Sequence, residues 1–161
     1  MNSEENFLDW VKDAHAMEKQ AESMLEKMAS RLESYSSFKE RIEEHIKETH
    51  EHQILVQNII DHYCSSRSLF KDVAGKLCAF GQSIGGMMAR DEIIKNAISN
   101  NVFEHFEIAS YTSLITAALH INDTKSVQIF KRIREQEIAM ADWTITNLPN
   151  ITEQYLIRSD I

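Results

Sequence analysis

The apolar positions of this chain fall into four long stretches spaced alternately by four and three residues, and each is interrupted near its middle by polar side chains. Over residues 4–33 the repeat runs through Phe7, Val11, Ala14, Ala21, Leu25, Met28 and Leu32, and the slot between Ala14 and Ala21 holds Glu18. That spacing predicts the seam of a helix packed in a bundle. After a turn at Ser34–Ser37 a second helix is expected to about Tyr63, with Phe38, Ile42, His45, Thr49, His52, Val56 and Ile59 on its seam and Glu48 beside Thr49 at the edge. A third, over about 91–120, carries Ala97, Asn100, Glu104, Glu107, Tyr111, Leu114 and Ala118 on one face. Asn122–Asp123 makes a turn and a cap for the fourth. Its seam is Val127, Phe130, Ile133, Glu137, Ala141, Ile145 and Leu148, and Pro149 is the expected stop, with a loosely packed tail beyond it.

Residues 64–90 break the pattern. Ser65–Ser68 reads as a turn, Leu69, Val73, Leu77 and Phe80 as a short amphipathic helix, and Gly81–Gly86 as its end. A connection of this length can run from one end of a bundle to the other and leave its flanking helices parallel. Only 4 Gly and 1 Pro in 161 residues fit long helices joined by short turns. The chain is expected to form one domain over residues 1–161.

The net charge of -8, with no run of Lys and Arg, argues against a nucleic-acid or anionic-membrane partner. No basic-then-apolar leader and no apolar run near 18 residues is present, so the expectation is a cytoplasmic protein without a membrane span. Cys64 and Cys78 match no zinc or redox spacing and read as two reduced thiols.

Some of the acidity is placed inside the fold. Each of the four seams carries a carboxylate on or beside it: Glu18, Glu48, Glu104 with Glu107, and Glu137. An unpaired ionised carboxylate costs several kcal/mol to bury, so five converging in one bundle require a positive partner. Lys and Arg are nearly absent from the seams, which leaves protons or metal cations. Two divalent ions about 3.5–4 Å apart suit bridging carboxylates from facing helices. Oxygen donors with a little imidazole favour iron or manganese. His45 shares a face with Glu48 and is a further candidate ligand. His52, one turn on, could reach the site or donate to an outer partner, and Tyr111, one turn past Glu107, could hydrogen-bond a ligating carboxylate; both are candidates for proton delivery. His105 is expected in a packing or supporting role. The pattern as a whole is that of an all-α, ferritin-like antiparallel four-helix bundle, with a long crossover connection containing a short helix between the second and third long helices.

Five segments carry a family resemblance: Asp13–Glu22, His45–Thr49, Gly81–Gly86, Val102–Tyr111 and Met140–Trp143. Together they resemble the YciE/YciF ferritin-like stress-protein family over nearly the whole chain, most nearly its YciE branch. Glu18-Lys19-Gln20 in the first helix and Glu104-x-x-Glu107-Ile108-Ala109-x-Tyr111 in the third carry most of that likeness. The resemblance implies a ferritin-like bundle, a dinuclear metal centre, a homodimer and a place in the stress response. The wider ferritin-like pattern would have Glu-x-x-His on the second and fourth helices. Here Glu48 is followed by Glu51, Glu137 by Met140, and the second helix has the reversed order His45 to Glu48.

Two functions are compatible with this reading. One is a di-iron or di-manganese protein that handles peroxide or oxygen, catalase-like or oxidase-like. The other is a metal-binding, iron-sequestering or structural stress protein without turnover.

Overall fold

A computed structural model describes residues 2–66 and 93–161. Among these, four helices make up the fold: α1 Ser3–Ala29, α2 Ser36–Ser66, α3 Ile93–His120 and α4 Thr124–Ser159. The expected crossover and short helix, with Cys78 and the Gly81–Gly86 segment, lie outside the described residues, whereas Cys64 is an exposed free thiol.

Local sequence fixes where the helices begin. Asn2 caps α1 reciprocally: its side chain accepts from the Glu5 amide at 2.9 Å, and its own amide donates to Glu5 Oε2 at 2.9 Å. Asp123 caps α4 by accepting from the Ser126 amide at 3.0 Å, and it accepts from the Tyr63 hydroxyl at 2.9 Å, tying α2 to the same corner. Asn122 supplies the left-handed turn residue at φ 61°.

The seams bury two apolar clusters. In one, Phe7, Val11 and Ala14 of α1 meet Val56 and Ile59 of α2, Leu114 and Ala118 of α3, and Val127 and Phe130 of α4. In the other, Leu25 and Met28 meet Phe38 and Ile42, Ala97, and Met140 with Ile151. The early part of α1 therefore lies with the late part of α2, the late part of α3 and the early part of α4. Helices α2 and α3 run parallel, while α1 and α4 run opposite to them. The bundle is ferritin-like and all-α.

The fourth helix corrects the sequence reading twice. Pro149 lies inside α4, which continues to Ser159. The ring removes the hydrogen bond that the Ile145 carbonyl would accept, at a typical cost of about 3 kcal/mol. Packing beyond it offsets this: Ile151 is buried, Arg158 Nη2 donates to the Ser34 carbonyl at 2.9 Å, and the Arg158 guanidinium sits 5.3 Å over the Tyr35 ring. The residues after 149 are thus docked on the α1–α2 turn rather than loose. The seam also passes through Thr144 instead of Ile145, which is 55% exposed. Alternating steps of four and three from Glu137 land on 141, 144, 148 and 151, so Ile145 falls outside the stripe.

Candidate metal centre

Between the two apolar clusters lies a polar layer drawn from all four helices: Glu18, His45, Thr49, His52, Asn100, Glu104, Glu107 and Glu137, each almost wholly excluded from solvent. The seam interruptions expected from the sequence meet here at one level.

Glu137 is the hub. Its Oε1 lies 3.0 Å from His52 Nδ1, and that nitrogen is 3.3 Å from Glu18 Oε2. Its Oε2 lies 3.2 Å from His45 Nε2, which is 3.3 Å from Glu104 Oε2. Two three-residue groups with donor atoms close enough to share an ion result, Glu18–His52–Glu137 and His45–Glu104–Glu137, and they have Glu137 in common. Glu107 is buried beside them. Neither of its oxygens has a hydrogen-bond partner.

The converging atoms are close without being satisfied. Glu18 Oε2, His45 Nε2, His52 Nδ1, Glu104 Oε2 and both oxygens of Glu137 lack a partner of hydrogen-bond geometry. Leaving that many buried polar atoms unmatched is costly. Lone pairs that face a common point, and are bonded elsewhere on their other side, are what a cation requires. The second oxygen of Glu18 accepts from the Tyr111 hydroxyl, and that of Glu104 from Asn100 Nδ2 at 3.0 Å. The rear nitrogens of the imidazoles are also engaged. His45 Nδ1 donates to Glu48 Oε2 at 2.7 Å and His52 Nε2 to Gln136 Oε1 at 2.9 Å, so Nε2 of His45 and Nδ1 of His52 are the nitrogens turned inward.

Electrostatics without a cation tell the same story. Burial pushes the carboxyls of Glu18 and Glu107 up, with neighbouring carboxylates adding to it, and raises Glu104 to about 8 against the pull of His45. Burial opposes the charge on both imidazoles, yet the facing carboxylates outweigh it: Glu104, Glu137 and Glu48 hold His45 well above its ordinary range, and Glu137 and Glu18 hold His52 at about 10. Burial also opposes ionisation of Glu137, but the two imidazoles hold its carboxyl well below the carboxylate range. Imidazolium and carboxyl protons thus supply the positive charge that the seams otherwise lack.

Glu48 does not join the converging atoms. Thr49 occupies the seam position, so the Glu48 side chain stands one step off it, 22% exposed, behind His45 and 3.5 Å from Arg41 Nη1. The reversed order on α2 explains this arrangement, since the imidazole faces inward and the carboxylate three residues on backs it. His52 reaches the converging atoms, one of the two positions the spacing allowed it, and meets Glu18 and Glu137 directly. Tyr111 is buried and reaches Glu18. His105 is exposed, because it lies about 100° from Glu104 around α3. Gln136 and Arg41 escape the sequence reading; neither lies on a seam, and nothing in the apolar repeat marks them. Asn100 does carry a signal, because it sits on the seam one turn before Glu104.

Outside the layer, between α1 and α3, a groove of about 290 Å³ is lined by Trp10, Asp13, Met17, Phe106, Ser110 and Leu114 among others. Met17 and Leu114 belong to the same cluster as Tyr111. On α1 and α2, Glu22, Glu26 and His50 form a second acidic group; it is largely exposed, with His50 Nε2 2.5 Å from Glu22 Oε1. Among the described residues no helix is long and apolar enough to cross a membrane.

Known proteins share this architecture. The chain is 27% identical over 160 residues to the protein YciF of Escherichia coli K12, covering 90% of this chain and 92% of YciF. A crystal structure of a protein from Xanthomonas campestris pv. campestris superimposes with a TM-score of 0.80 at 34% identity, over 99% of this chain and 100% of that one. The crystal structure of the Escherichia coli stress protein YciF gives 0.76 at 23% identity, over 93% and 98%. These likenesses support the YciE/YciF group as a whole and do not single out its YciE branch. The model of the family described as a domain of unknown function, DUF892, matches residues 2–157, and the chain belongs to that family.

Proposed function

We propose that this chain is a dinuclear, carboxylate-bridged metalloprotein of the stress response that handles peroxide or oxygen. One observation carries the reading: Glu137 presents separate oxygens to two imidazole–carboxylate pairs in a layer closed by apolar side chains at both ends. Glu18 and His52 would hold one ion and His45 and Glu104 the other, Glu137 would serve both, and the buried carboxyl of Glu107 would be available to either. Iron or manganese at such a donor set supplies two-electron redox chemistry.

The chain's own residues have defined tasks. Tyr111 fixes one oxygen of Glu18 by donating to it and leaves the other for the centre. Asn100 does the same for Glu104. Glu107, held neutral by burial and its neighbours, can give or take a proton as charge in the layer changes.

A homodimer belongs to this reading. Ile98 and Val102 flank Asn101 on α3, and Ile138 and Ile145 flank Ala141 on α4; these exposed apolar side chains surround the point where Asn101 Nδ2 donates to the Ala141 carbonyl. Such a strip across two helices is suited to a second copy.

The deciding experiment is metal analysis of protein purified without chelator, followed by peroxide turnover. About two iron or manganese ions per chain, lost in a Glu18→Ala, Glu104→Ala double variant, together with peroxide decay, would support the reading. Two ions without turnover would favour a non-catalytic metal-binding stress protein. No metal, even after reconstitution, would sink both.

A further inference from the structure

The two halves of the centre are alike on the inside and different behind. Each sets one imidazole nitrogen against a carboxylate oxygen of its own and one oxygen of Glu137. Each terminal carboxylate receives one neutral donor on its other oxygen, Asn100 for Glu104 and Tyr111 for Glu18. The rear partners of the imidazoles differ in charge, whereas the donors to the two terminal carboxylates are both neutral. His45 Nδ1 donates to the carboxylate of Glu48 at 2.7 Å, whereas His52 Nε2 donates to the amide oxygen of Gln136 at 2.9 Å.

A carboxylate behind an imidazole draws on its proton and makes the opposite nitrogen a stronger donor to a cation; an amide does so far less. Glu48 also adds a negative charge behind the ring. Arg41 takes back part of that effect, but its Nη1 stands 3.5 Å from Glu48 Oε2, against 2.7 Å for the imidazole. Outer partners of this type are typically worth about 10- to 100-fold in metal affinity.

Resting on the dinuclear reading, we infer that the two positions are unequal. The His45–Glu104 position takes a divalent cation first, the His52–Glu18 position second, and Glu48 against Gln136 sets the gap. Over a window of free metal the chain therefore holds a single ion, and the second enters only at higher supply.

Calorimetric titration of the full, metal-free chain with Co²⁺ tests this, with helical circular dichroism to select folded variants. The wild type is expected to bind in two steps at least about tenfold apart. Glu104→Ala should remove the tight step and Glu18→Ala the weak one. Glu48→Gln should weaken the tight step by about tenfold, and Gln136→Glu should strengthen the weak one by a similar factor. Two equal steps in the wild type, loss of the tight step in Glu18→Ala, or steps unmoved by both rear-partner variants would overturn the inference. A wild type that takes up no Co²⁺ at all would instead remove the dinuclear reading on which it rests.

Discussion

Glu137 Oε1 lies 3.0 Å from His52 Nδ1 while its Oε2 lies 3.2 Å from His45 Nε2, so one carboxylate on α4 connects two imidazoles seven residues apart on α2. A bridging residue fails differently from a terminal one. On the dinuclear reading proposed above, Glu137→Ala should abolish uptake of both ions, while Glu18→Ala and Glu104→Ala should each leave about one per chain. Elemental analysis of the three folded variants checks this; one ion retained by Glu137→Ala would rule out a shared bridge.

Without metal, the layer should make stability fall as pH rises. Glu104, raised to about 8, and Glu18 and Glu107, raised by burial, keep protons in the folded chain that the unfolded chain has already released. His45 and His52, the latter at about 10, do the same above the ordinary histidine range. Where the folded state binds more protons, unfolding free energy decreases with pH. Glu137, depressed, acts in the opposite sense only below the ordinary carboxylate range. Melts in chelator should therefore show a midpoint that drops between about pH 5 and about pH 9. Bound metal displaces those protons, so its stabilising effect should grow over the same range. A midpoint in chelator that rises with pH would contradict the charge assignment.

Glu107 has two unpartnered buried oxygens, so the folded chain bears its cost when no cation is present. Glu107→Gln should raise the stability of metal-free protein by about 1–2 kcal/mol and weaken metal binding. Urea unfolding with and without Mn²⁺ separates the two effects. Destabilisation in both conditions would mean that the carboxylate already has a structural partner.

Pro149→Ala should stabilise the chain by up to about 3 kcal/mol, because it restores a helical hydrogen bond without disturbing Ile151 or Arg158. A lower melting temperature would show that the ring shapes the docking of the last two turns.

Much of this was legible because burying charge is expensive. Glu18, Glu104, Glu107 and Glu137 announced themselves as acids in apolar slots, and the four- and three-residue spacing placed them on converging faces. Glu48 stands where the spacing put it, at the seam's edge beside Thr49; what periodicity did not show is that its carboxylate backs His45 instead of meeting the converging atoms. Gln136 supports His52 from outside the seam, where polarity is ordinary and carries no signal. Pro149 read as a stop because a local rule was applied to a helix held by tertiary contacts: an exposed turn bears the lost bond, while Ile151 and Arg158 anchor the final turns of α4.

The polar layer also divides the hydrophobic interior in two, with Phe7, Val56, Leu114 and Phe130 on one side and Leu25, Ile42, Ala97 and Met140 on the other. Each side draws on all four helices, so neither half is a hairpin that could be cut away. In the metal-free chain the two ends can open one at a time, each breaking its own contacts, and amide exchange should report two separate protection levels. A cation pair ligated from every helix would act as a rivet through the waist of the bundle. The ends would then exchange together, and metal supply would set mechanical unity as well as chemistry.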